Sequence, residues 1–579
     1  MRQWMVAAKK ADFYAIAEKF HVDPVVARII RNREVIGEKN IRIYLGGNLS
    51  DLSDPHQMKD MDRLVEILAQ KIRKQVHIRI IGDYDVDGVT SSHLFLTALR
   101  RVGAKVDVVI PHRIQDGYGL SLHLLQQAKE DGVDTILTCD NGIAAIDEIA
   151  WAKAQKMTVL VTDHHAVPFE EHEGRRTEKK SLADAVVNPH QQDCGYPYKE
   201  LCGAGVAWNV IRVLYENYDM DKREAEDLLD FVAMATVCDV MSLTGENRIL
   251  VKEGLKRIRH TKNIGLQALM QACNVQPENI SAYHFGYVLG PCVNATGRLD
   301  TARHALRLFE TGQETEAEEI ARDLVDLNQE RKELTLQGVE MAKKLCEEGG
   351  YENDPILVLF LPDVHESIAG LIAGRIREMY NRPVFVLTRG EEGVKGSGRS
   401  TENYSMYENM CGCAELFTKF GGHPMAAGLS LPEENVEKFR RKINENCPLT
   451  VEEVCPDIHI DMAMPVGYAS TELVHQFALL EPFGKDNPSP LFADRNLSIS
   501  RMWVIGKNRN VLRMSVLSEY RFRLFSLGMW RRCLHILPKS LVRKRWRMRC
   551  MAEKTGFYFL WCIQQRLIFI REMKICSWR

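Results

Sequence analysis

The sequence predicts an α/β protein of several domains: a parallel-sheet domain, a long helix, a smaller α/β unit and a small β domain. Three observations carry this. At 579 residues the chain exceeds what one hydrophobic core holds. From His77 onward, short apolar runs alternate with helical segments over short connections, the pattern of βαβ units. Three of those runs lead into clusters of acids or imidazoles: Asp83-Tyr84-Asp85-Val86-Asp87-Gly88, Cys139-Asp140-Asn141-Gly142 and Asp163-His164-His165. Ligands of a parallel sheet bind beyond the carboxyl ends of its strands, where all three clusters fall.

Taken in order, residues 1–75 read as mostly helical, with helical apolar spacing over 11–20, 24–31 and 58–74 around a turn-rich connection at 49–55. Strands are expected at 77–81, 106–110, 135–138, 158–162 and 185–187. Helices are expected at 89–101, 122–129, 143–155, 203–215 and 224–237, the last leading to Asp239. The charged run 171–180 reads as a solvated loop. Residues 316–346 read as one helix broken by no proline, a rigid connector. A second α/β unit follows, with strands at 356–361 and 383–387 and helices at 368–379 and 434–444. After Pro456, short alternating segments begin a β domain.

Composition narrows the class. No apolar run reaches the length of a membrane span, and the first residues lack a signal peptide's apolar stretch. Fifteen cysteines are scattered, odd in number and never spaced CxxC, so reduced thiols and a cytoplasmic location are expected. The formal charge of −2 hides an asymmetry: residues 521–579 carry 15 Lys/Arg against Glu553 and Glu572, leaving 61 basic and 76 acidic residues in the first 520. That acidic body is not what bulk electrostatics of DNA binding would predict, though a local groove can still be basic.

The chemistry begins with Asp83, Asp85 and Asp87. In an extended segment residues two apart share a face, so the three carboxylates would repel unless a cation lay between them. Gly88 would then turn the chain tightly into a helix from Val89. Asp140 and Asp239 add carboxylates, and His164 and His165 add imidazoles, one free to ligate metal and the other to face substrate. Mixed carboxylate and imidazole donors suit Mn²⁺, with Mg²⁺ as the alternative. The acids suffice for two ions sharing a bridging carboxylate, a standard device for displacement at phosphorus.

Farther along, Gly396-Ser397-Gly398-Arg399-Ser400 sets amides, hydroxyls and a guanidinium together in a composition that suits a phosphate. Gly421-Gly422-His423 allows close backbone approach and adds an imidazole. Arg113 and Arg298 are further phosphate candidates.

These motifs resemble those of the DHH phosphoesterases. With His112-Arg113, Gly117-Tyr118-Gly119, Asn294-Ala295-Thr296-Gly297-Arg298, Gly396–Ser400 and Gly421–His423 in order, the chain looks like the RecJ subgroup, single-strand-specific 5′→3′ DNA exonucleases. The resemblance covers roughly residues 1–510. It implies a parallel-sheet DHH domain joined by a long helix to a smaller α/β DHHA1 domain, followed by an incomplete OB-like domain. The expected boundaries are 1–75, 76–315 (DHH), 316–346 (connector), 347–450 (DHHA1), 451–516 (OB-like) and 517–579 (basic tail).

By that resemblance Asp83, Asp85, Asp87, Asp140, His164 and Asp239 are metal ligands, with Asp140 bridging. Asp140, His164 and His165 are catalytic, His165 acting as ligand, electrostatic stabiliser or proton donor. Arg113, Arg298, Ser397, Arg399, Ser400, Gly421, Gly422 and His423 hold DNA. It also implies a monomer, with a helicase and a single-strand-binding protein as partners. Val364 stands where the subgroup often carries a Trp before His365.

Two rival functions are a DHH hydrolase of short oligonucleotides or cyclic dinucleotides and a catalytically silent replication scaffold. Length and the Gly396–Ser400 motif favour the exonuclease over the first, and the intact acids over the second. The tail reads either as a shifted reading frame or as a basic nucleic-acid-binding extension.

Overall fold

A computed structural model of the protein describes residues 4–113, 116, 119–172, 175–390, 393–495, 498–505, 511–517, 521–527, 557–562, 566–571 and 575–577. Gly117, Tyr118 and most of the basic tail lie outside these. The chain forms two compact units. One comprises Arg42–Lys332 with Pro482–Asn487; the other comprises Met1–Ile41, Glu333–Glu481 and Pro488–Arg579.

The first unit is built on a five-stranded parallel sheet in the order Lys105–Val109, His77–Ile81, Thr135–Cys139, Thr158–Thr162, Ala185–Val187. Successive residues feed opposite faces. Ile80, Leu137 and Leu160 join the core that includes the helices Met61–Arg73, Val86–Arg101 and Gly203–Asn217. Ile81, Ile136, Val159 and Val161 join the core that includes Leu122–Glu130 and Ile146–Ala154. A sheet covered on both faces buries both sides of its inner strands, as Thr135–Cys139, Thr158–Thr162 and Ala185–Val187 show, while Lys105–Val109 at the edge is only partly buried.

The chain leaves His77–Ile81 toward one edge of the sheet and Thr135–Cys139 toward the other. The crevice between their carboxyl ends is therefore a topological switch point, and the first two acidic clusters lie there.

Several local expectations change. The run 171–180 is not a loop: Phe169–His172 and Arg175–Glu178 pair as an antiparallel hairpin. The helix expected at 224–237 is two, Lys222–Glu226 and Leu229–Cys238. Residues 285–299 are also helical, a π-helical turn over Phe285–Leu289 running into Gly290–Leu299. The long helix spans Glu314–Glu348.

The second unit holds a mixed five-stranded sheet, ordered Lys419–His423, Ala426–Leu431, Gly393–Arg399, Val384–Gly390, Leu357–Phe360. Only the last pair is parallel. Helix Glu366–Tyr380 packs on one face through Ile368, Ile372 and Ile376. Helix Val436–Glu445 packs on the other through Phe439 and Ile443.

In the β region, Trp4–Val6 pairs parallel with Ile458–Ile460, a strand too short to show periodicity in the sequence. Arg33 anchors the N-terminal helices to it through a buried two-point pair with Asp461, at 2.6 and 3.0 Å. Ser498–Ile505, Val511–Leu517 and Arg521–Leu527 form an antiparallel meander, so strand pairing continues past Val516. Among the described residues no helix is long and apolar enough to cross a membrane.

Candidate metal centre

The first acid cluster does not lie on one strand. Helix Val86–Arg101 begins three residues earlier than expected, and Asp85 is its N-cap, with Oδ1 accepting from the Gly88 N–H at 3.0 Å. Gly88 makes no tight turn. It sits inside the helix, where a β-carbon would come within 2.5 Å of the Asp83 backbone. Asp83, Asp85 and Asp87 are brought together by a loop folding onto the first turn of a helix, not by strand alternation.

Asp87 is held by a second helix. Its Oδ2 accepts from Gly203 N at 2.6 Å and its Oδ1 from Ala204 N at 2.8 Å, satisfying two of the unpaired amides that open Gly203–Asn217. Gly203 also lets Asp140 approach, since a β-carbon there would lie 2.6 Å from Asp140 Cβ. Asp140 itself is buried with φ 60°, a left-handed conformation that is uncommon outside glycine. Asn141 ties the two central strands together at this point, its Nδ2 donating to Ile81 O and Cys139 O. Asp239 caps the end of Leu229–Cys238.

His164 points into these acids. Its Nε2 lies 3.1 Å from Asp140 Oδ1, 3.6 Å from Asp239 Oδ2 and 3.7 Å from Asp87 Oδ2. Three sets of donor atoms lie within 4.8 Å of one another: Asp140, His164 and His165; Asp87, His164 and Asp239; Asp83, Asp85 and Asp140. Asp140 and His164 each belong to two of these sets, and Asp140 is the carboxylate so shared.

The electrostatics fit divalent cations. Burial first, then neighbouring carboxylates, raise Asp83 and Asp140 well above the usual range and raise Asp85; the same causes bring Asp239 to about 8. A cation among them would offset that repulsion. Oxygen and imidazole donors suit Mn²⁺ or Mg²⁺. The thiols of Cys139, Cys202 and Cys238 lie beside the acids, but burial holds them protonated. They are unsuited to a thiolate zinc site.

His165 is the more open of the two histidines. Its side chain is 40% exposed against 8% for His164. Asp163 Oδ1 lies 2.8 Å from its Nδ1 and also accepts the backbone N–H groups of His164 and His165, while Asp163 Oδ2 accepts from Ile143 N. Burial disfavours the imidazolium, but the bond and charge of Asp163 outweigh it and bring His165 to about 9. Burial lowers His164.

The 294–298 motif braces the first acid loop. Asn294 Oδ1 accepts from Val86 N at 3.2 Å across 208 residues of sequence. Gly297 meets the Tyr84 carbonyl, 2.3 Å from where its β-carbon would be. The Arg113 guanidinium lies over the Tyr84 ring at 4.6 Å, and Arg298 is close enough to act on Tyr84 electrostatically. The bracing roles of Asn294, Gly297, Gly203 and Asp163 are the part that sequence reasoning missed. Asn294, Gly297 and Asp163 were in view as motif residues and Gly203 only as the start of a helix, and the partners of Asn294, Gly297 and Gly203 are remote in the chain.

In the second unit, Gly396–Arg399 is central strand and not a loop, so its amides belong to the sheet ladder. The glycines face the core: a β-carbon at Gly396 would meet Leu387 and Leu429, and one at Gly398 would meet Phe385 and Met406. Ser397 and Arg399 take the opposite face, beside Gly370 of Glu366–Tyr380. Ser400 departs from its expected role, because its buried hydroxyl donates to Tyr404 O. Gly421 and Gly422 lie on the edge strand Lys419–His423. Gly421 opens onto free space, Gly422 has φ 151° against Ala426 and Ala427, and His423 is exposed.

Residues 77–236 match the DHH family N-terminal domain, 353–447 the DHHA1 domain and 460–539 the RecJ OB domain, the last reaching beyond residue 516. A single-stranded-DNA-specific exonuclease RecJ of Haemophilus influenzae is 34% identical over 511 residues, covering 85% of this chain and 86% of that one. The RecJ of Bacillus subtilis is 33% identical over 509 residues, covering 87% of this chain; the match spans 63% of that relative's length. Among solved structures, RecJ of Thermus thermophilus in complex with Mn²⁺ superposes with a TM-score of 0.78 over 99% of this chain and 80% of that one, at 24% identity, a likeness of fold. An exonuclease RecJ bound to manganese is 32% identical, with a TM-score of 0.57 over 67% of this chain and 94% of that one.

Proposed function

The chain belongs to the RecJ family of DHH/DHHA1 proteins, and from that premise we propose that it is a metal-dependent exonuclease that degrades single-stranded DNA 5′→3′ to mononucleotides in repair and recombination. The observation that carries the reading is the sharing of the buried Asp140 carboxylate between two sets of donor atoms. Asp83, Asp85, Asp87, Asp140, His164 and Asp239 would hold two divalent cations, Mn²⁺ or Mg²⁺. Bound there, such a pair would supply Lewis acidity for a nucleophilic water and positive charge for the oxygens of a displacement at phosphorus.

The chain's own groups do the rest. Asp163 engages Nδ1 of His165 and keeps the ring protonated, so the proton His165 offers a phosphate oxygen is the one on Nε2. Asn294 and Gly297 hold the loop that presents Asp83 and Asp85. Arg113 and Arg298 supply fixed positive charge for phosphates. Ser397, Arg399, Gly421, Gly422 and His423 bind the strand, whereas Ser400 has a structural role. The same reading places the enzyme in the cytoplasm as a monomer, working with a helicase and a single-strand-binding protein.

The test is incubation of the protein and Mn²⁺ with long 5′-labelled single strands, duplexes and dinucleotides. Release of labelled mononucleotide from long single strands is expected. Turnover confined to dinucleotides would overturn the reading in favour of a small-substrate hydrolase, and no turnover of any strand would favour a scaffold.

A further inference from the structure

We propose that Tyr283 and Tyr287 form a base-stacking platform for the single strand beside the metal centre; the inference rests on the exonuclease reading. The two rings stack on each other with centroids 5.2 Å apart and planes at 22°, yet the residues are 62% and 72% exposed. His284 packs edge-on against Tyr283 at 5.6 Å. Phe285 and Leu289 on the same segment are fully buried and anchor it to the core, so the tyrosines are not spare core residues. Exposed aromatic pairs of this kind are costly to leave in water, and every nucleobase has a face that stacks on such a ring.

The backbone here is unusual. Tyr287 lies within the π-helical turn Phe285–Leu289, a rare geometry that recurs at functional sites. That turn is fixed directly to the metal centre. The Cys238 thiol donates to Phe285 O at 3.3 Å, and Gly290 is packed so closely on Cys238 that a β-carbon would lie 2.3 Å from its sulfur. Asp239 is the next residue. In the other direction the helix runs on to Asn294, which holds the Asp85 loop, and to Arg298.

Eleven residues of helix separate Tyr287 from Arg298, roughly 16 Å. A strand whose phosphate meets Arg298 could therefore lay bases a few nucleotides away on the tyrosines, within the span of about 4–16 nucleotides that single-strand grooves cover. The occupant is a nucleobase of the substrate strand, because Arg298, proposed above to meet a phosphate, lies on the same continuous helical segment.

The experiment uses the full chain in EDTA, so that no turnover occurs. Binding is read by fluorescence anisotropy with labelled oligothymidylate and an abasic strand of equal length. Tyr283→Ala/Tyr287→Ala should weaken oligothymidylate binding by about 5- to 150-fold, the range of losing one stacked base, and leave abasic-strand binding unchanged. Tyr283→Phe/Tyr287→Phe should bind like wild type, because stacking needs the ring and not the hydroxyl. Both side chains are exposed, and an unchanged thermal midpoint checks that the variants fold.

Equal oligothymidylate binding by wild type and the alanine variant would overturn the platform alone. So would an equal loss on both strands, or a phenylalanine variant as weak as the alanine one. If wild type with Mn²⁺ released no nucleotide from long single strands, the exonuclease reading itself would fall, and the platform with it.

Discussion

Asp163 and His165 form a bonded pair at 2.8 Å in which the acid is buried and the imidazole is partly open to solvent. The same carboxylate takes both backbone N–H groups of the histidine pair and that of Ile143, so it fixes where both rings point.

Asp163→Asn should fold but lose about 10²- to 10⁴-fold in turnover, the range of a misplaced acid–base group. His165 is raised to about 9, so its charged form dominates below that pH and is lost as pH rises through it. Wild-type turnover should therefore hold up to about pH 9. In the variant the alkaline limb should move down toward the ordinary imidazole value of about 6.5. A pH–rate profile of both proteins measures this, and coincident alkaline limbs would refute the role given to Asp163.

Asp140→Ala should abolish turnover while single-strand binding stays measurable, since Asp140 is common to two donor sets and is not among the proposed DNA-binding residues. Chelation of divalent cations should have the same effect on the wild type. Wild-type rates in Asp140→Ala would sink the bridging assignment.

Asp239 predicts a pH signature of the metal-free protein. Burial, then Asp87 and Asp85, raise it to about 8, against about 3.9 unfolded. The native state binds the additional proton between those values, so this group's contribution to stability falls as pH rises from about 4 to about 8 and is flat above. Asp239→Asn should flatten that slope in EDTA and shrink the rise in thermal midpoint that Mn²⁺ produces in wild type. Parallel melting curves with and without Mn²⁺ at pH 5 to 8 decide it.

Gly203→Ala places a β-carbon 2.6 Å from Asp140 Cβ and 2.9 Å from its Oδ1. Alanine is a good helix residue, so the helix Gly203–Asn217 should persist. The expected cost is about 10- to 100-fold in Mn²⁺ affinity or activity, the usual effect of disturbing a residue that orients a ligand. Titration of Mn²⁺ followed by calorimetry would detect it, and unaltered affinity would argue against the packing role.

Asp230 gives a check away from the metal centre. Burial raises it to about 6 despite bonds from Thr261 and the Phe231 N–H. The native state thus prefers the protonated form, and stability should fall by about 3 kcal/mol between pH 4 and pH 6 and stay level above. Asp230→Asn should remove that fall and melt higher than wild type at pH 7; an unchanged pH dependence would refute the argument.

The sequence by itself determined the class of fold and the residue types of the site. Continuous apolar strands with short helical crossovers can bury both faces only as a covered parallel sheet, and motifs after strands must then gather at one edge. The long helix was legible because nothing in residues 316–346 breaks it. Tertiary structure decided which atoms meet. Asp83, Asp85 and Asp87 converge through a loop and a helix start, not through strand alternation, because Asp87 is drawn to the amides of Gly203 and Ala204, over 100 residues away. The glycines at 396 and 398 read as a phosphate loop, but they are strand residues thinned to admit Leu387, Phe385 and Met406. Ser400 looked like a ligand for DNA until its hydroxyl was spent on Tyr404. Hydrophobic pattern is local and periodic, so the sequence carries it openly. Hydrogen-bond partnership and close packing between remote segments have no period, and only the folded chain specifies them.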